Sequence, residues 1–375
     1  MTINFIDLSA QRARLQSDMD ARIAKVLSEG RFIMGPEVIE LERALANFSN
    51  AKHALSCANG TDALLLPMMA WQIGPGDAVF CPSFTYCATA EAIALLGATP
   101  VFFDIDPDTY NICPKSFRCA VEDVLSEGAY TPRAVIVVDL FGQSANYPAI
   151  TPIAREHGLK IIADSAQGFG TTLHGHHPLH WSDVATTSFY PAKPLGCYGD
   201  GGALFTNDDS IAETIASLRN HGQGMDKYDN VRVGLNSRLD TLQAAILLSK
   251  LSVFEDELSA RELVAQRYSQ ALGNNALRVP RLLDGATSSW AQYTIEVEDP
   301  ENFAARLRQK EVPTARYYPT PIHLQTAYVG HPRVSSGLGN TERAMTKVIS
   351  LPMHAYLSED AQDKIINVCQ AALSR

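Results

Sequence analysis

Residues 134–139, Ala-Val-Ile-Val-Val-Asp, and residues 160–164, Lys-Ile-Ile-Ala-Asp, are two short apolar runs that each end on an aspartate. A segment of helical character, Pro152 to His157, precedes the second run, and two similar apolar runs, 78–82 and 100–104, lie upstream. Strands that are apolar throughout are buried on both faces, and their alternation with helices indicates parallel pairing. The sequence therefore predicts an α/β fold with a mainly parallel central sheet and helices on both faces.

Helices are predicted on either side of this sheet region. Residues 9–29 have apolar positions at helical spacing, and Pro36 opens a second helix that runs to Ala46. A long helix at about 252–272 is expected to cross to a second domain. We therefore divide the chain into a large domain, 1–255, which includes the N-terminal helices, and a smaller C-terminal α+β domain, 256–375.

The segment 54–64, Ala-Leu-Ser-Cys-Ala-Asn-Gly-Thr-Asp-Ala-Leu, predicts a strand, a turn of small residues and a helix start with Thr61 and Asp62 near its cap. Free amides at such a start can bind an anion, although a purely structural cap is equally compatible with the pattern. Pro67 falls inside this helix, and an interior proline costs about 3 kcal/mol. We therefore expect a kink or an early break near Pro67.

Composition and charge exclude several classes of function. The 375 residues carry a net charge of -10, so no basic surface for nucleic acid or anionic membrane is implied. The seven cysteines are odd in number and form no C-x-x-C pair, which favours reduced thiols. The N-terminal residues do not have the pattern of a signal peptide, and no apolar run has the length of a bilayer span. A cytoplasmic location is predicted.

Lys193 lies in residues 188–196, Ser-Phe-Tyr-Pro-Ala-Lys-Pro-Leu-Gly. Pro194 disfavours helix at the lysine, and Pro191 fixes one backbone angle just before it. The side chain is therefore expected on a rigid, non-helical segment. Such a segment suits a lysine that forms a Schiff base, whose amine must be aimed and partly desolvated. The alternative is an ordinary lysine in a surface turn.

Asp164 follows one of the apolar strands and precedes Ser165-Ala166-Gln167-Gly168. A buried carboxylate needs a partner, because its burial is otherwise costly. A pyridinium nitrogen would be such a partner, since an ionised aspartate keeps that ring protonated and strengthens it as an electron sink. The alternative is an aspartate that caps the next helix.

Histidines are dense in residues 173–180, Leu-His-Gly-His-His-Pro-Leu-His. A metal site is conceivable there, but no cysteine or clustered carboxylate joins the histidines within the stretch. A solvated hairpin loop is the favoured interpretation, and a loop that faces the substrate is a further alternative. No metal is predicted.

Two later segments carry candidate site residues. Residues 236–240, Asn-Ser-Arg-Leu-Asp, are predicted to open a helix through Leu248, with Asn236 or Ser237 as its cap; Arg238 could serve there simply as the partner of a nearby acid. Within the proline-rich residues 316–325, Tyr317 and His323 could be ligands or packed loop residues.

Several of these motifs occur together in one order. They are Asn59-Gly60-Thr61, Pro82-Ser83-Phe84-Thr85-Tyr86-x-Ala88-Thr89-Ala90, Asp104-Ile105-Asp106, Asp164-x-x-Gln167, Ser188-x-x-x-x-Lys193 and Asn236-x-Arg238. Jointly they resemble the DegT/StrS family of sugar-nucleotide aminotransferases, which use pyridoxal 5'-phosphate (PLP) on the fold-type-I transferase scaffold. The resemblance covers essentially the whole chain, and the joint signature is highly specific.

The resemblance implies a role for each matched residue. Lys193 would be the Schiff-base lysine and the proton carrier, and Asp164 would pair with the pyridine nitrogen. Gln167 would meet the phenolic oxygen of the cofactor, and Tyr86 would stack on its ring. Lys193 also argues against the subgroup of the family that replaces this lysine with histidine and removes a hydroxyl.

Other matched residues would hold the phosphate or come from a second subunit. Gly60, Thr61 and Ser188 would hold the cofactor phosphate. Asn236 resembles the residue that reaches this phosphate from the neighbouring subunit, which implies a homodimer with shared sites. Arg238 lies where some relatives contact the substrate from the same partner.

Residues 193–202 and 236–240 look most like family members that aminate the 3-keto group of a UDP-linked 2-acetamido-2-deoxy-hexuronic acid, with L-glutamate as donor, for surface-polysaccharide (O-antigen) synthesis. The guanidinium of Arg238 matches a uronate carboxylate, and Tyr317 and His323 are further candidates for substrate binding. Two alternatives remain: an aminotransferase for a neutral 3-keto or 4-keto deoxysugar on dTDP or UDP, and a non-catalytic, PLP-binding regulatory homologue.

Overall fold

The computed structural model describes residues 3–226 and 228–373. Helices and strands alternate through most of this length. The helices are α1 (Leu8–Glu29), α2 (Pro36–Ser49), α3 (Gly60–Ala70), α4 (Ala88–Leu95), α5 (Pro114–Glu127), α6 (Tyr147–Glu156), α7 (Asp209–Leu218), α8 (Thr241–Leu251), α9 (Phe254–Leu272), α10 (Pro300–Gln309), α11 (Gly339–Lys347) and α12 (Glu359–Leu373). The strands are β1 (His53–Cys57), β2 (Asp77–Pro82), β3 (Thr99–Phe103), β4 (Thr131–Val138), β5 (Lys160–Asp164), β6 (Val184–Ser188), β7 (Gly202–Thr206), β8 (Tyr293–Glu296) and β9 (Val348–Leu351).

Seven strands form the central sheet, in the order β1-β7-β6-β5-β4-β2-β3. The pairs β2–β3, β2–β4, β4–β5 and β5–β6 are parallel, whereas β7 runs antiparallel to both of its neighbours, β1 and β6. The predicted mainly parallel sheet is therefore confirmed. The carboxyl ends of β5 and β6 lie side by side, so the segments that follow Asp164 and Ser188 meet at one edge.

Helices cover both faces of this sheet, as successive residues of β7 demonstrate. Leu204 faces a cluster that includes Ile215 of α7. The next residue, Phe205, faces the opposite side and stacks on Phe169 with ring centroids 5.7 Å apart. Phe169 in turn stacks on Phe254 at the start of α9. Each face of the sheet therefore has its own apolar layer.

A second core lies in the C-terminal part of the chain. Strands β8 and β9 pair antiparallel, and α9, α10 and α12 pack with them around a cluster that contains Tyr268 and Tyr293. The chain also returns to the first core between these strands, because Ile322, Tyr328 and Val334 are buried there. The division at residues 255 and 256 stays a prediction, but residues beyond it contribute to both cores.

The expected break at Pro67 is wrong. Helix α3 continues through Pro67 to Ala70, and the carbonyl of Pro67 accepts a hydrogen bond from the Trp71 amide at 3.0 Å. The residues of α3 from 63 to 68 are all buried, so tertiary packing outweighs the local cost of the proline. The side chain that caps this helix is Asn59, whose Oδ1 accepts from the Asp62 amide at 2.8 Å, rather than Thr61 or Asp62.

The predicted caps of α8 are also wrong. The helix begins at Thr241, and the residue at its N-cap position is Asp240, whose side chain makes no capping hydrogen bond. Ser237 is instead buried, and its Oγ accepts from the Ala58 amide at 3.2 Å. The segment 236–240 therefore ties the end of β1 to the start of α8 as an extended connection.

Among residues 3–226 and 228–373, no helix combines the length and the apolar character that a membrane span needs.

Candidate active site

A cavity of about 720 Å³ opens at the carboxyl ends of the parallel strands. It contains side chains that are far apart in sequence and were predicted to share one site. The predicted residues that line it are Gly60, Thr61, Tyr86, Asp164, Gln167, Ser188, Lys193 and Tyr317. The topology thus brings the segments after β1, β2, β5 and β6 to one place.

The start of α3 and the end of β6 form one wall of the cavity. A Cβ added to Gly60 would lie 2.6 Å from the Cβ of Ser188, so only glycine allows this close approach. The first amides of a helix have no partner within the helix and carry its positive dipole end. Gly60 and Thr61 occupy these first positions, beside the Ser188 hydroxyl. This wall therefore has the geometry and chemistry of a phosphate cradle.

Replacing Gly60 with alanine should disturb this wall. Because the new methyl group would overlap Ser188, we expect the free energy of unfolding to fall by about 1–3 kcal/mol and the affinity for PLP to fall with it. Thermal unfolding and titration with PLP would measure both effects. Gly74→Ala is the matched control, since its added Cβ would come no nearer than 3.7 Å to Leu96. Equal PLP affinities for the two variants would contradict the phosphate-cradle assignment.

Lys193 and Asp164 form the charged centre of the site. Burial lowers the pKa of the Lys193 amine, and the charge of Asp164 acts in the opposite direction. Burial raises the pKa of the Asp164 carboxyl, while a hydrogen bond from the Ala166 amide and the charge of Lys193 lower it. The Asp164 oxygens accept from the Ala166 amide at 3.1 Å and from the Thr89 hydroxyl at 3.3 Å. This environment orients the carboxylate and keeps the amine easy to deprotonate.

Helix α8 holds the turn that carries Lys193. The Nζ of Lys250, a buried residue, donates to the carbonyl of Gly196 at 2.6 Å and lies 4.2 Å from the ring centroid of Tyr198. The Oε1 of Gln243 accepts from the Tyr198 amide at 2.8 Å. Burial lowers the pKa of Lys250 to about 8. The turn that the two prolines were predicted to make rigid is therefore also held by hydrogen bonds from Lys250 and Gln243 of α8.

Gln167 has both ends of its amide engaged. Its Oε1 accepts from the backbone amide of Phe141 at 2.7 Å, and its Nε2 donates to the hydroxyl of Tyr318 at 3.0 Å. Tyr318 itself lines the cavity and was missed in the sequence, although it is the immediate neighbour of Tyr317. Asn59 and Thr89 also line the cavity without a predicted role; the preference of asparagine for helix caps could have identified Asn59.

Three predicted site residues lie outside the cavity of their own chain. The guanidinium of Arg238 donates to the Oδ1 atoms of Asn220 at 3.0 Å and Asn236 at 2.8 Å. His323 is buried, with its Nδ1 2.6 Å from the Oγ of Ser83, so its surroundings favour the packed-loop alternative. Asn236 is exposed, and its predicted contact with a second subunit stays a prediction.

The histidine-rich segment makes a short turn away from the cavity lining. A bridge joins Leu173 and His176, and the rings of His176 and His180 stack with centroids 4.2 Å apart. Within the described part of the chain, no group of three or more His, Cys, Asp or Glu side chains is arranged to hold a metal ion.

The residues present fit PLP. The glycine-dependent cradle at α3 suits its phosphate, the buried carboxylate of Asp164 suits a protonated pyridine nitrogen, and the amine of Lys193 lines the same cavity. These are the groups that such a cofactor needs from a protein.

The model of the DegT/DnrJ/EryC1/StrS aminotransferase family matches residues 13–370. The chain belongs to this family. It is 49% identical to the UDP-2-acetamido-2-deoxy-3-oxo-D-glucuronate aminotransferase of Pseudomonas aeruginosa, over 97% of this chain and 98% of that protein. The predicted family and the predicted aminotransferase class are confirmed.

Solved structures agree with this membership. A DegT DnrJ EryC1 StrS aminotransferase from Brucella abortus superposes with a TM-score of 0.98 and 50% identity, over 100% of both chains. The protein ntda from Bacillus subtilis, solved with bound cofactor PMP, has a TM-score of 0.87 and 27% identity, over 99% of this chain and 83% of that one. The predicted fold-type-I architecture is confirmed.

Proposed function

We propose that this aminotransferase uses PLP to move an amino group from L-glutamate to the 3-keto group of a UDP-linked 2-acetamido-2-deoxy-hexuronic acid. The observation that carries the proposal is the convergence of Lys193, Asp164 and the Gly60–Ser188 cradle on one cavity. The activity for which the Pseudomonas relative is named supports the substrate class, and the PMP-bound Bacillus structure supports the cofactor.

Each residue of the site then has a chemical task. When bound, PLP supplies an electron sink for the carbon that loses or gains a proton. The amine of Lys193, whose pKa burial lowers, accepts that proton and returns it. The carboxylate of Asp164 favours the protonated pyridine ring, and Gly60, Thr61 and Ser188 hold the phosphate.

We further propose a homodimer with shared sites, located in the cytoplasm and serving surface-polysaccharide (O-antigen) synthesis. Asn236 and Arg238 lie outside the cavity of their own chain, and Asn236 is exposed. Asn236 can therefore reach the site of a second copy, and Arg238 would join it by exchanging its bonds to Asn220 and Asn236 for bonds to the substrate there. Nearby, Met225, Tyr228 and Val233 are apolar side chains exposed by 109%, 86% and 90%, which supports a contact surface on this side of the molecule.

Addition of L-glutamate tests the function directly. The purified protein with PLP should be yellow, and its visible band should bleach as the amino group moves to the cofactor. Adding the 3-keto uronate sugar should then restore the band, with ping-pong kinetics. A visible band that does not change on addition of glutamate would instead favour the non-catalytic regulatory homologue. A band that only neutral keto sugars restore would favour an aminotransferase for neutral deoxysugars.

Arg238→Ala is expected to separate a uronate substrate from a neutral one. Because a guanidinium pairs with a carboxylate through strong, charge-assisted hydrogen bonds, KM for the uronate sugar should rise by roughly 10- to 100-fold. KM for the matching sugar without the carboxylate should change little. Steady-state kinetics on both sugars would measure the difference.

Arg308→Ala is the control, since Arg308 is an exposed arginine of α10 that lies outside the cavity and outside the proposed contact surface. It should leave both KM values near those of the parent protein. Equal losses for the two sugars in the Arg238 variant would remove the carboxylate argument.

A further inference from the structure

We propose that Asn111 is a positioning residue that fixes the backbone turn at Phe141, and through it keeps Gln167 as a hydrogen-bond donor to the bound cofactor. This inference rests on the proposed PLP chemistry and adds residues that do not line the cavity.

The amide of Gln167 can point in only one direction. A backbone N–H can only donate, so the group 2.7 Å from the Phe141 nitrogen must be the Gln167 oxygen. The Nε2 group is therefore the end that reaches Tyr318 on the cavity wall. Because an NH2 group has two hydrogens and Tyr318 accepts one of them, the second can serve the phenolic oxygen of PLP.

The Phe141 amide reaches Gln167 from an unusual backbone conformation. Its φ is 61° and its ψ is 7°, which is the left-handed region that side chains other than glycine rarely adopt. Such a conformation persists only where the surroundings impose it, and it is concentrated at functional sites. The next residue, Gly142, has a φ of 94°, and a Cβ there would overlap the Oγ of Ser289.

Asn111 imposes this turn with its whole side chain. Its Oδ1 accepts from the amide of Leu140 at 2.8 Å, immediately before Phe141. Its Nδ2 donates to the carbonyls of Gln143 at 3.1 Å and Ser144 at 3.2 Å, on the far side of the turn. The residue is 2% exposed, so these three bonds have little competition from water.

Ser289, from the C-terminal part of the chain, makes a second group of contacts with Gln167 and the turn at Phe141. The Oγ of Ser289 donates to the carbonyl of Gln167 at 2.5 Å, and the amide of Ser289 donates to the carbonyl of Gly142 at 2.9 Å. The backbone of Gln167 and the turn that orients its side chain are thus held against each other. Loss of Asn111 should release the Phe141 end of this arrangement and let the amide of Gln167 rotate.

The test is a double-mutant cycle read by PLP affinity and by the visible absorption band of the bound cofactor. Asn111→Ala should weaken PLP binding roughly three- to tenfold, the scale of one hydrogen bond, and should shift the band. Gln167→Glu keeps an acceptor for Phe141 but removes the donor, so it should weaken binding and shift the band as Gln167→Ala does. In a Gln167→Ala background, Asn111→Ala should add less than about twofold.

Controls separate positioning from simple destabilisation. The Nδ2 of Asn340 also donates to a backbone carbonyl, that of Ile105 at 2.9 Å, so Asn340→Ala should lower the melting temperature without moving the band. Where Asn111→Ala fails to fold, Asn111→Asp keeps the volume and the bond from Leu140 while losing both donors. If Asn111→Ala weakened PLP binding as much in the Gln167→Ala background as in the parent protein, this inference would be wrong while the proposed function would stand. A parent protein that binds no PLP would overturn the proposed function and this inference together.

Discussion

Replacing Lys193 with alanine should lower the rate of amino transfer by at least roughly a thousandfold, the range seen when a positioned proton carrier is removed. The structure gives the reason, since burial lowers the pKa of this amine while the adjacent turn and α8 hold it in the cavity. The effect should appear in kcat, because binding of the nucleotide sugar does not depend on the amine. Single-turnover measurement of the glutamate half-reaction would isolate the step.

Lys193→Arg is the control for charge. Arginine keeps a positive group beside Asp164 but stays protonated in a protein, so this variant should be as inactive as the alanine one. Borohydride reduction of the parent protein with PLP, followed by peptide mapping, should place the label on Lys193. Substantial activity in Lys193→Arg, or a label on another residue, would refute the assignment.

Asp164→Asn should lower kcat/KM by about a hundredfold or more, because a fixed charge in a buried site stabilises the transition state strongly. Asparagine has nearly the same shape, so packing changes little, but the negative charge beside the cofactor ring is lost. Its amide can still accept from Ala166 or Thr89 with one oxygen only. Stopped-flow measurement of the change in the cofactor band would report the loss in each half-reaction.

Asp104→Asn is the matched control, because Asp104, like Asp164, is buried at the carboxyl end of a parallel strand, in its case directly after β3. Its Oδ1 accepts from the amide of Thr341 at 2.8 Å, and its Oδ2 accepts from that of Asn340 at 2.9 Å. That variant should lose stability but keep its PLP band and its rate per folded molecule. If both variants lost activity equally, the charge of Asp164 would not be the cause.

The sequence was sufficient for the parts of the fold that depend on local pattern. The apolar runs at 134–139 and 160–164 predicted buried parallel strands, and the structure has β4 and β5 there. The aspartate at the end of β5 and the lysine after β6 both line one cavity, because the carboxyl ends of neighbouring parallel strands share an edge.

Local rules failed where packing decided the outcome. Pro67 was expected to break α3, but the buried surroundings of that helix hold it through the proline. The capping residue of α3 was missed because Asn59, Thr61 and Asp62 are all acceptable caps by residue type, and only the structure shows which side chain bonds to the helix amides.

The supports of the site could not be predicted from sequence at all. Asn111 and Gln143 are separated by 32 positions, and Gln167 and Tyr318 by 151. No periodicity or motif marks such pairs, since each depends on how the sheet places distant loops. Arg238 is a different case, because its predicted contact is with the substrate in the site of a second copy of the chain. Within one chain it bonds to Asn220 and Asn236.

The antiparallel strand β7 has a consequence for how the protein is made. In the described sheet, β1 lies at one edge and pairs only with β7. Strand β1 (His53–Cys57) therefore cannot join the sheet until β7 (Gly202–Thr206) has been synthesised. During synthesis from the N-terminus, about half of the polypeptide therefore emerges from the ribosome before the first strand can dock. Pairing between strands so distant in sequence slows folding. Gly60, which follows β1, can therefore reach its position beside Ser188 only after β1 has paired with β7.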